Sequence, residues 1–158
     1  MIGARETPQI FFLNIGNSKE HIEKAVDELK IKDAIIFSSV QTRIETEFLK
    51  YLNDKGVNVL ETHCVDPFTS DSLRNIISIM LSTIERYSKQ GTEFIVGLTG
   101  GTNIMAVAFG VVAMIKGLRC NYILNQEEDF LLKIDTFKEI DVSVPLKEIG
   151  RSLREAKQ

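Results

Sequence analysis

A three-layer α/β domain built on a mostly parallel sheet is what this sequence predicts, and three observations predict it. Short apolar runs rich in Ile, Val and Phe alternate with amphipathic stretches at the 3.6-residue period, four times in succession. The runs are continuously apolar, as in strands buried on both faces. Each amphipathic stretch lies between two such runs, which is the helical crossover that parallel pairing requires. The 158 residues suit one domain with a sizeable core and leave little room for two.

Taken in order, residues 10–13 begin the first strand, which continues through Asn14 and Ile15 and ends at Gly16. Asn17 or Ser18 reads as an N-cap, with Glu20 as capping-box partner of Asn17. The helix that follows places Ile22, Ala25, Val26 and Leu29 on one face. Residues 34–37 form a second buried strand, and 42–55 a second helix with Ile44, Phe48, Leu49 and Leu52 inward. Gly56 stops that helix and residues 57–60 start the third strand; Pro67, which lacks a donor, bars its continuation. A third helix over about 70–88 carries the stripe Leu73, Ile76, Ile77, Met80, Leu81 and Ile84. Residues 93–96 form the fourth strand, 103–116 the fourth helix and 119–124 the fifth strand. Two further runs, 130–134 and 140–144, have no helix between them and predict an antiparallel hairpin at the sheet's edge or beyond it. The fold class is therefore a Rossmann-like three-layer sandwich, mostly parallel, with a C-terminal antiparallel β-hairpin. Residues 1–144 form one domain, and 145–158 a charged helix or linker with Leu146, Ile149 and Leu153 as its apolar positions.

Composition narrows the function. Hydrophobic types at 44% and charged types at 26% are ordinary for a globular domain. A formal charge of -3 argues against a broad basic surface for long duplex nucleic acid, though not against a small anion held by local N–H groups. The apolar stretch from Ile104 to Ile115 is too short to cross a bilayer, and no signal peptide is evident, so a cytoplasmic protein without a membrane partner is expected. Cys64 and Cys120 fall in predicted strands without metal-like spacing and read as free core thiols.

In open parallel sheets, ligands sit beyond the C-terminal strand ends where strand order reverses. Two loops there have suitable chemistry: 14–18 after the first strand, with Asn14, Gly16, Asn17 and Ser18, and 97–103 after the fourth. In the second, Gly97, Gly100 and Gly101 allow close approach, Thr99 and Thr102 supply hydroxyls, and the helix behind offers unpaired N–H groups. The plain alternative is a tight turn with Thr102 as cap. The loop matches neither the Walker A pattern nor the dinucleotide fingerprint. Ser38, Ser39, Gln41 and Arg43 lie on the same rim, Arg43 being either a phosphate cation or a solvated side chain. His21 reads as a surface residue. His63 and Cys64, adjacent in a strand, point to opposite faces and make no catalytic pair. Asp66 and Asp71 contact a ligand or cap a helix, and no carboxylate or histidine spacing suggests a metal. The fourth helix has no polar face, which predicts burial all round by the hairpin, the C-terminal helix or, most economically, a second copy of the chain.

The segment 94–105, Phe-Ile-Val-Gly-Leu-Thr-Gly-Gly-Thr-Asn-Ile-Met, together with Gly16-Asn17-Ser18, resembles the CRISPR-associated Rossmann-fold (CARF) sensor domains, over about residues 9–144. The resemblance implies a homodimer binding a cyclic oligoadenylate, the second messenger of type III CRISPR immunity, across its two-fold axis. Gly16, Asn17 and Ser18 would line the ring from one side, and Thr99, Gly100, Gly101, Thr102 and Asn103 would hold its phosphates and riboses from the other. A two-fold site favours an even ring, four adenylates above all. The family commonly has a lysine where this chain has Asn103, which cannot neutralise a phosphate. Some members are ring nucleases that cleave the messenger without metal or cofactor; on that reading Ser18 positions a ribose 2′-hydroxyl, while Thr99 and Thr102 stabilise the developing charge. Most relatives carry a second effector domain, for which the tail is too short. A sensor without chemistry, a ring nuclease, and a domain for some other nucleotide or phosphate all remain open. Under the site assignment, a bulky residue at Gly100 or Gly101 should abolish binding and spare the fold.

Overall fold

The computed structural model describes residues 7–16, 19–40, 42, 44–89, 91–128, 132–141, 151 and 155. The chain runs β1 (Gln9–Ile15), α1 (Glu20–Leu29), β2 (Asp33–Ser39), α2 (Thr46–Asp54), β3 (Asn58–Val65), α3 (Ser72–Tyr87), β4 (Glu93–Gly97), α4 (Asn103–Lys116), β5 (Arg119–Glu128) and β6 (Leu132–Asp141). The sheet order is β3-β2-β1-β4-β5-β6. The first five strands pair in parallel, a Rossmann-like arrangement, and β6 runs antiparallel to β5 from Arg119↔Asp141 to Glu128↔Leu132. Strand order reverses between β1 and β4, which pair with Phe12 opposite Val96. That reversal creates the crevice from which ligand sites in such sheets are built.

Two cores explain the continuous apolar runs. Phe11, Leu13, Ile15, Ala34 and Ile36 pack under α1 and α2, against Ile22, Val26, Phe48 and Leu52. Phe12, Ile35, Phe37, Phe94 and Val96 pack on the other face, against Ile76 and Met80 of α3 and Met105, Phe109 and Val112 of α4. Phe109 stands edge-on to Phe37 at 5.2 Å, a favoured aromatic geometry that seats α4 on the strands.

Several boundaries differ from the sequence reading, each for a local reason. Helix α1 starts at Glu20, with Lys19 at the N-cap position and no side-chain cap, so the Asn17–Glu20 capping box is not its start. Helix α2 starts at Thr46, because Thr42 is held in a turn by Ser39, whose carbonyl and Oγ both accept from its N–H. In β3 the register jumps from Ala34↔Val59 to Ile35↔Glu61, leaving Leu60 as a bulge. Past that bulge Cys64 falls on the exposed side of an edge strand and is no core thiol, whereas Cys120 is buried. Within the single chain α4 is not covered all round: Val107 and Ile115 are 51% and 54% exposed. Among the described residues no helix is long and apolar enough to cross a membrane. Expected strand residues 130, 131 and 142–144 lie outside the described residues, as does the tail from Pro145 except for Arg151 and Glu155.

Candidate functional site

The loops after β1 and β4 meet at the switch point, and glycine is what lets them meet. A Cβ on Gly16 would lie 2.8 Å from the Gly101 nitrogen. Gly101, at φ +67°, rests on the Asn14 amide, where a Cβ would fall 2.1 Å from Oδ1. Gly100, at φ +93°, rests on the His21 ring and the Asn14 carbonyl, 2.2 Å and 2.6 Å from such a Cβ. Both positive angles suit glycine and are costly for other residues. Gly97 is confined as well, its Cβ position lying 3.1 Å from the Phe12 carbonyl. Part of what glycine supplies here is contact between loops within the chain. A bulky residue at Gly100 or Gly101 would therefore disturb the fold locally, contrary to the expectation that the fold would be spared.

Hydrogen bonds complete the lock. Asn14, at the buried end of β1, donates from Nδ2 to the Gly100 carbonyl at 3.0 Å. His21 Nε2 reaches the Asn14 carbonyl at 2.9 Å. Leu98 donates to the Asn121 carbonyl at 2.9 Å, and Thr99 Oγ1 accepts from the Ile123 N–H at 2.7 Å, tying the glycine loop to β5. Thr99 keeps its hydroxyl hydrogen for a further acceptor.

Thr102 occupies the N-cap position of α4 in extended backbone, but its hydroxyl caps nothing. Thr102 Oγ1 is buried without a partner, as are Asn14 Oδ1, Asn121 Nδ2 and Ser38 Oγ. Unpaired buried polar atoms are rare enough to need a reason, and three of these four surround the glycine loop. Asn103, first residue of α4, is exposed. The first N–H groups of α4 thus have no capping side chain, and a helix N-terminus in that state favours an anion.

Other candidates fall elsewhere. Ser39 is buried and already engaged by Thr42. Asn17, Ser18, Gln41 and Arg43 lie outside the described residues. Asp66 Oδ1 accepts from the Phe68 N–H at 3.0 Å and Asp71 pairs with Arg74 at 3.0 Å, so both serve their own loop. His63 bonds Glu61 at 2.8 Å and packs on Phe37, on the opposite side of β3 from Cys64. His21, read as a surface residue, is partly buried against the loop, and Asn121 and Ile123 also support it. A histidine one turn beyond a strand end, across from paired glycines, was the signal available in sequence; the β5 contacts had none.

The cavity beneath the loop, lined by Asn14, His21, Thr99 and Asn121, measures about 10 Å³, at most one water. That volume is too small for any ligand larger than a water, so only the surface over the loops has room for one. A concavity of about 660 Å³ opens at the opposite, N-terminal strand ends. There Gln9 and Arg119 already satisfy Glu93, at 2.7 Å and 2.8 Å, and no helix N-terminus points in. The switch-point surface is the candidate site, because, among the described residues, three of the four buried polar atoms without a partner surround it.

Fold and loop geometry together define a Rossmann-like domain with a glycine-lined crevice between β1 and β4. The model of a family described as CRISPR-associated protein (Cas_APE2256) matches residues 34–132, and the chain belongs to that family. No curated protein matches it in sequence. Among solved structures, Csm6 of Enterococcus italicus bound to cyclic hexa-2′-fluoro-hexa-dAMP superposes with TM-score 0.71 at 11% identity, covering 94% of this chain and 46% of that one. Can2 from Sulfobacillus thermosulfidooxidans in complex with cyclic tetra-adenylate gives 0.54 at 13% identity, over 73% and 32%. A type III CRISPR defence DNA nuclease activated by cyclic oligoadenylate gives 0.58 at 19% identity, over 77% and 19%. These likenesses show a shared Rossmann-like fold. The chain spans less than half the length of each.

Proposed function

We propose that this chain is a CARF sensor domain that binds a cyclic oligoadenylate, cyclic tetra-adenylate foremost, across the two-fold axis of a homodimer. The observation that carries the reading is the glycine-to-glycine junction of Gly16 and Gly101, set beside the uncapped N-terminus of α4 at the switch point. Backbone N–H groups there can take a phosphate, and a small shift of the loop would turn the Thr99 and Thr102 hydroxyls, now facing the cavity beneath it or buried, toward ribose or phosphate oxygens. The two superposable structures solved with cyclic nucleotides support the ligand class. Gly16, Asn17, Ser18, Gly97, Thr99, Gly100, Gly101, Thr102 and Asn103 form the proposed contact set.

Dimerisation through α4 accounts for the exposed Val107 and Ile115, with the partly buried Val111 and Met114 beside them. Such a contact would set two glycine loops side by side and offer a two-fold site to a ring with matching symmetry. Residues 1–144 make up the sensor domain, and 145–158 form a helix or linker.

A second reading, ring cleavage, is favoured by the Thr102 hydroxyl, which the fold leaves without a partner. In that reaction a ribose 2′-oxygen bonds to the adjacent phosphorus and the bond to the 5′-oxygen breaks. The 2′-hydroxyl loses its proton and the departing 5′-oxygen gains one, leaving a 2′,3′-cyclic phosphate. Ser18 would position the attacking hydroxyl, with Thr99 and Thr102 on the phosphoryl oxygens.

One experiment tests both. Excess protein is mixed with labelled cyclic tetra-adenylate in EDTA and products are separated over time. Intact messenger co-eluting with a dimer supports the sensor. Linear products ending in 2′,3′-cyclic phosphate, lost in Ser18→Ala, support the nuclease. Messenger that neither binds nor changes refutes the ligand assignment.

A further inference from the structure

The site has a charge problem. Among the described residues of its two loops the one basic side chain is Lys19, and it is paired with Glu45. Asn103 and the two threonines are neutral. His21 is the titratable group that touches the glycine loop, and its geometry specifies how it would titrate. A carbonyl oxygen only accepts, so the contact to the Asn14 carbonyl at 2.9 Å places a hydrogen on Nε2 and leaves Nδ1 as the nitrogen that gains or loses a proton. Protonation at Nδ1 keeps the Nε2 bond intact. The ring also lies directly against Gly100, 2.2 Å from where a Cβ would be.

We propose that His21 is a proton-linked binding residue of the oligoadenylate site, neutral in the free domain and protonated when a phosphate settles over Gly100 and the start of α4. The inference rests on the ligand reading above. Burial lowers the basicity of His21 and is only partly offset by the Asn14 carbonyl and by Glu20, its one charged neighbour of consequence. The other groups facing it, from β1, the glycine loop and β5, are the neutral Asn14, Thr99 and Asn121. A phosphate on the far side of Gly100 adds negative charge to that of Glu20, which further stabilises the imidazolium. One proton from solvent enters at Nδ1 and no covalent bond breaks. The dinegative or more highly charged ligand is then met by a cation that appears only on binding, in place of a permanent lysine.

The test is calorimetric titration of the full chain with cyclic tetra-adenylate carrying 2′-fluoro groups, which cannot be cleaved through a 2′-hydroxyl. Titrations at pH 7.5, 6.5 and 5.5 in two buffers of different ionisation enthalpy count the protons taken up. Affinity should tighten as pH falls, by at most about tenfold per unit for a single proton, with uptake approaching one proton per subunit. His21→Gln keeps a neutral N–H donor and has no titrating nitrogen, so its profile should be flat. In parallel, the Cε1–H resonance of His21 should titrate at higher pH with ligand than without, His63 being the only other histidine and serving as reference. Binding with no proton uptake, with an unmoved His21 titration, or with the same pH slope in His21→Gln overturns this inference and leaves the sensor reading standing. Absence of binding at every pH removes both. Should His21→Gln fail to fold, the resonance shift in the unaltered chain decides.

Discussion

Alanine at Gly101 is the perturbation that tests the loop junction most directly. Three costs can be read from the structure. At φ +67° a residue with a Cβ is strained, by about 1 kcal/mol. The new Cβ would fall 2.1 Å from Asn14 Oδ1 and 2.4 Å from its Cγ, an overlap relieved only by moving a buried side chain, at about 1–3 kcal/mol. That movement breaks the Asn14-to-Gly100 hydrogen bond, worth about 1 kcal/mol net. Gly101→Ala should therefore destabilise the domain by about 3–5 kcal/mol, summed from these contributions. Gly56→Ala is the matched control: φ is +78° there but nothing lies within 4 Å of the Cβ, so strain alone remains, about 1 kcal/mol. At about 2–4 °C per kcal/mol for a domain of this size, the two variants should melt several degrees apart. Urea unfolding of both, alongside Asn14→Ala and the Asn14→Ala/Gly101→Ala double variant, completes the measurement. The double variant should cost less than the sum of the singles by more than about 1 kcal/mol, because Asn14→Ala removes the overlapped amide. Equal losses at Gly101 and Gly56, or strict additivity with Asn14, would refute the junction. The result also governs how binding data are read, since lost affinity in a Gly101 variant would reflect the loop's displacement as much as a missing ligand contact.

Three further outcomes follow from the same geometry. Glutamate at both Val107 and Ile115 should convert a dimer to a monomer in light scattering with little change in the unfolding midpoint, as surface changes usually stay within about 0.5 kcal/mol; a monomeric unaltered chain would refute the α4 interface. His21 is held below its ordinary value of 6.5, so the unfolded chain binds the extra proton first and stability falls as pH drops below about 6.5. Urea midpoints at pH 7.5 and 5.5 should show that loss in the unaltered chain and a smaller one in His21→Gln. The carboxylates held below 4.5 act at lower pH: Glu93 by its bonds to Gln9 and Arg119, and Glu61 by Arg86 and His63, which outweigh the effect of burial. A thiol reagent should label Cys64 in the native protein and Cys120 only after unfolding, since burial both covers Cys120 and pushes its thiol up to about 11.

The parts of this domain that were legible in the sequence are those governed by local rules. Continuous apolar runs at β1, β2 and β4 announce strands buried on two faces, and the stripe of α3 announces its inward side. The glycine loop showed itself by composition alone. What stayed hidden depends on contacts between distant segments. The bulge at Leu60 arises from pairing with β2, and it shifts His63 and Val65 onto the face of the α3/α4 core and leaves Cys64 exposed on the other side. The rim contacts of His21 depend on the parallel pairing of β1 with β4, which brings residues 86 apart in the chain to hydrogen-bonding distance. The glycines illustrate the limit best. Three glycines flanking two threonines read as room left for a ligand, yet Gly100 and Gly101 are filled from below by His21 and Asn14. The open face of the loop and its filled face are the same few residues. A ligand that presses on the loop therefore presses on β1 and α1 as well, and the two unpaired amide atoms beneath it, Asn14 Oδ1 and Asn121 Nδ2, are the polar groups best placed to change partners when it does.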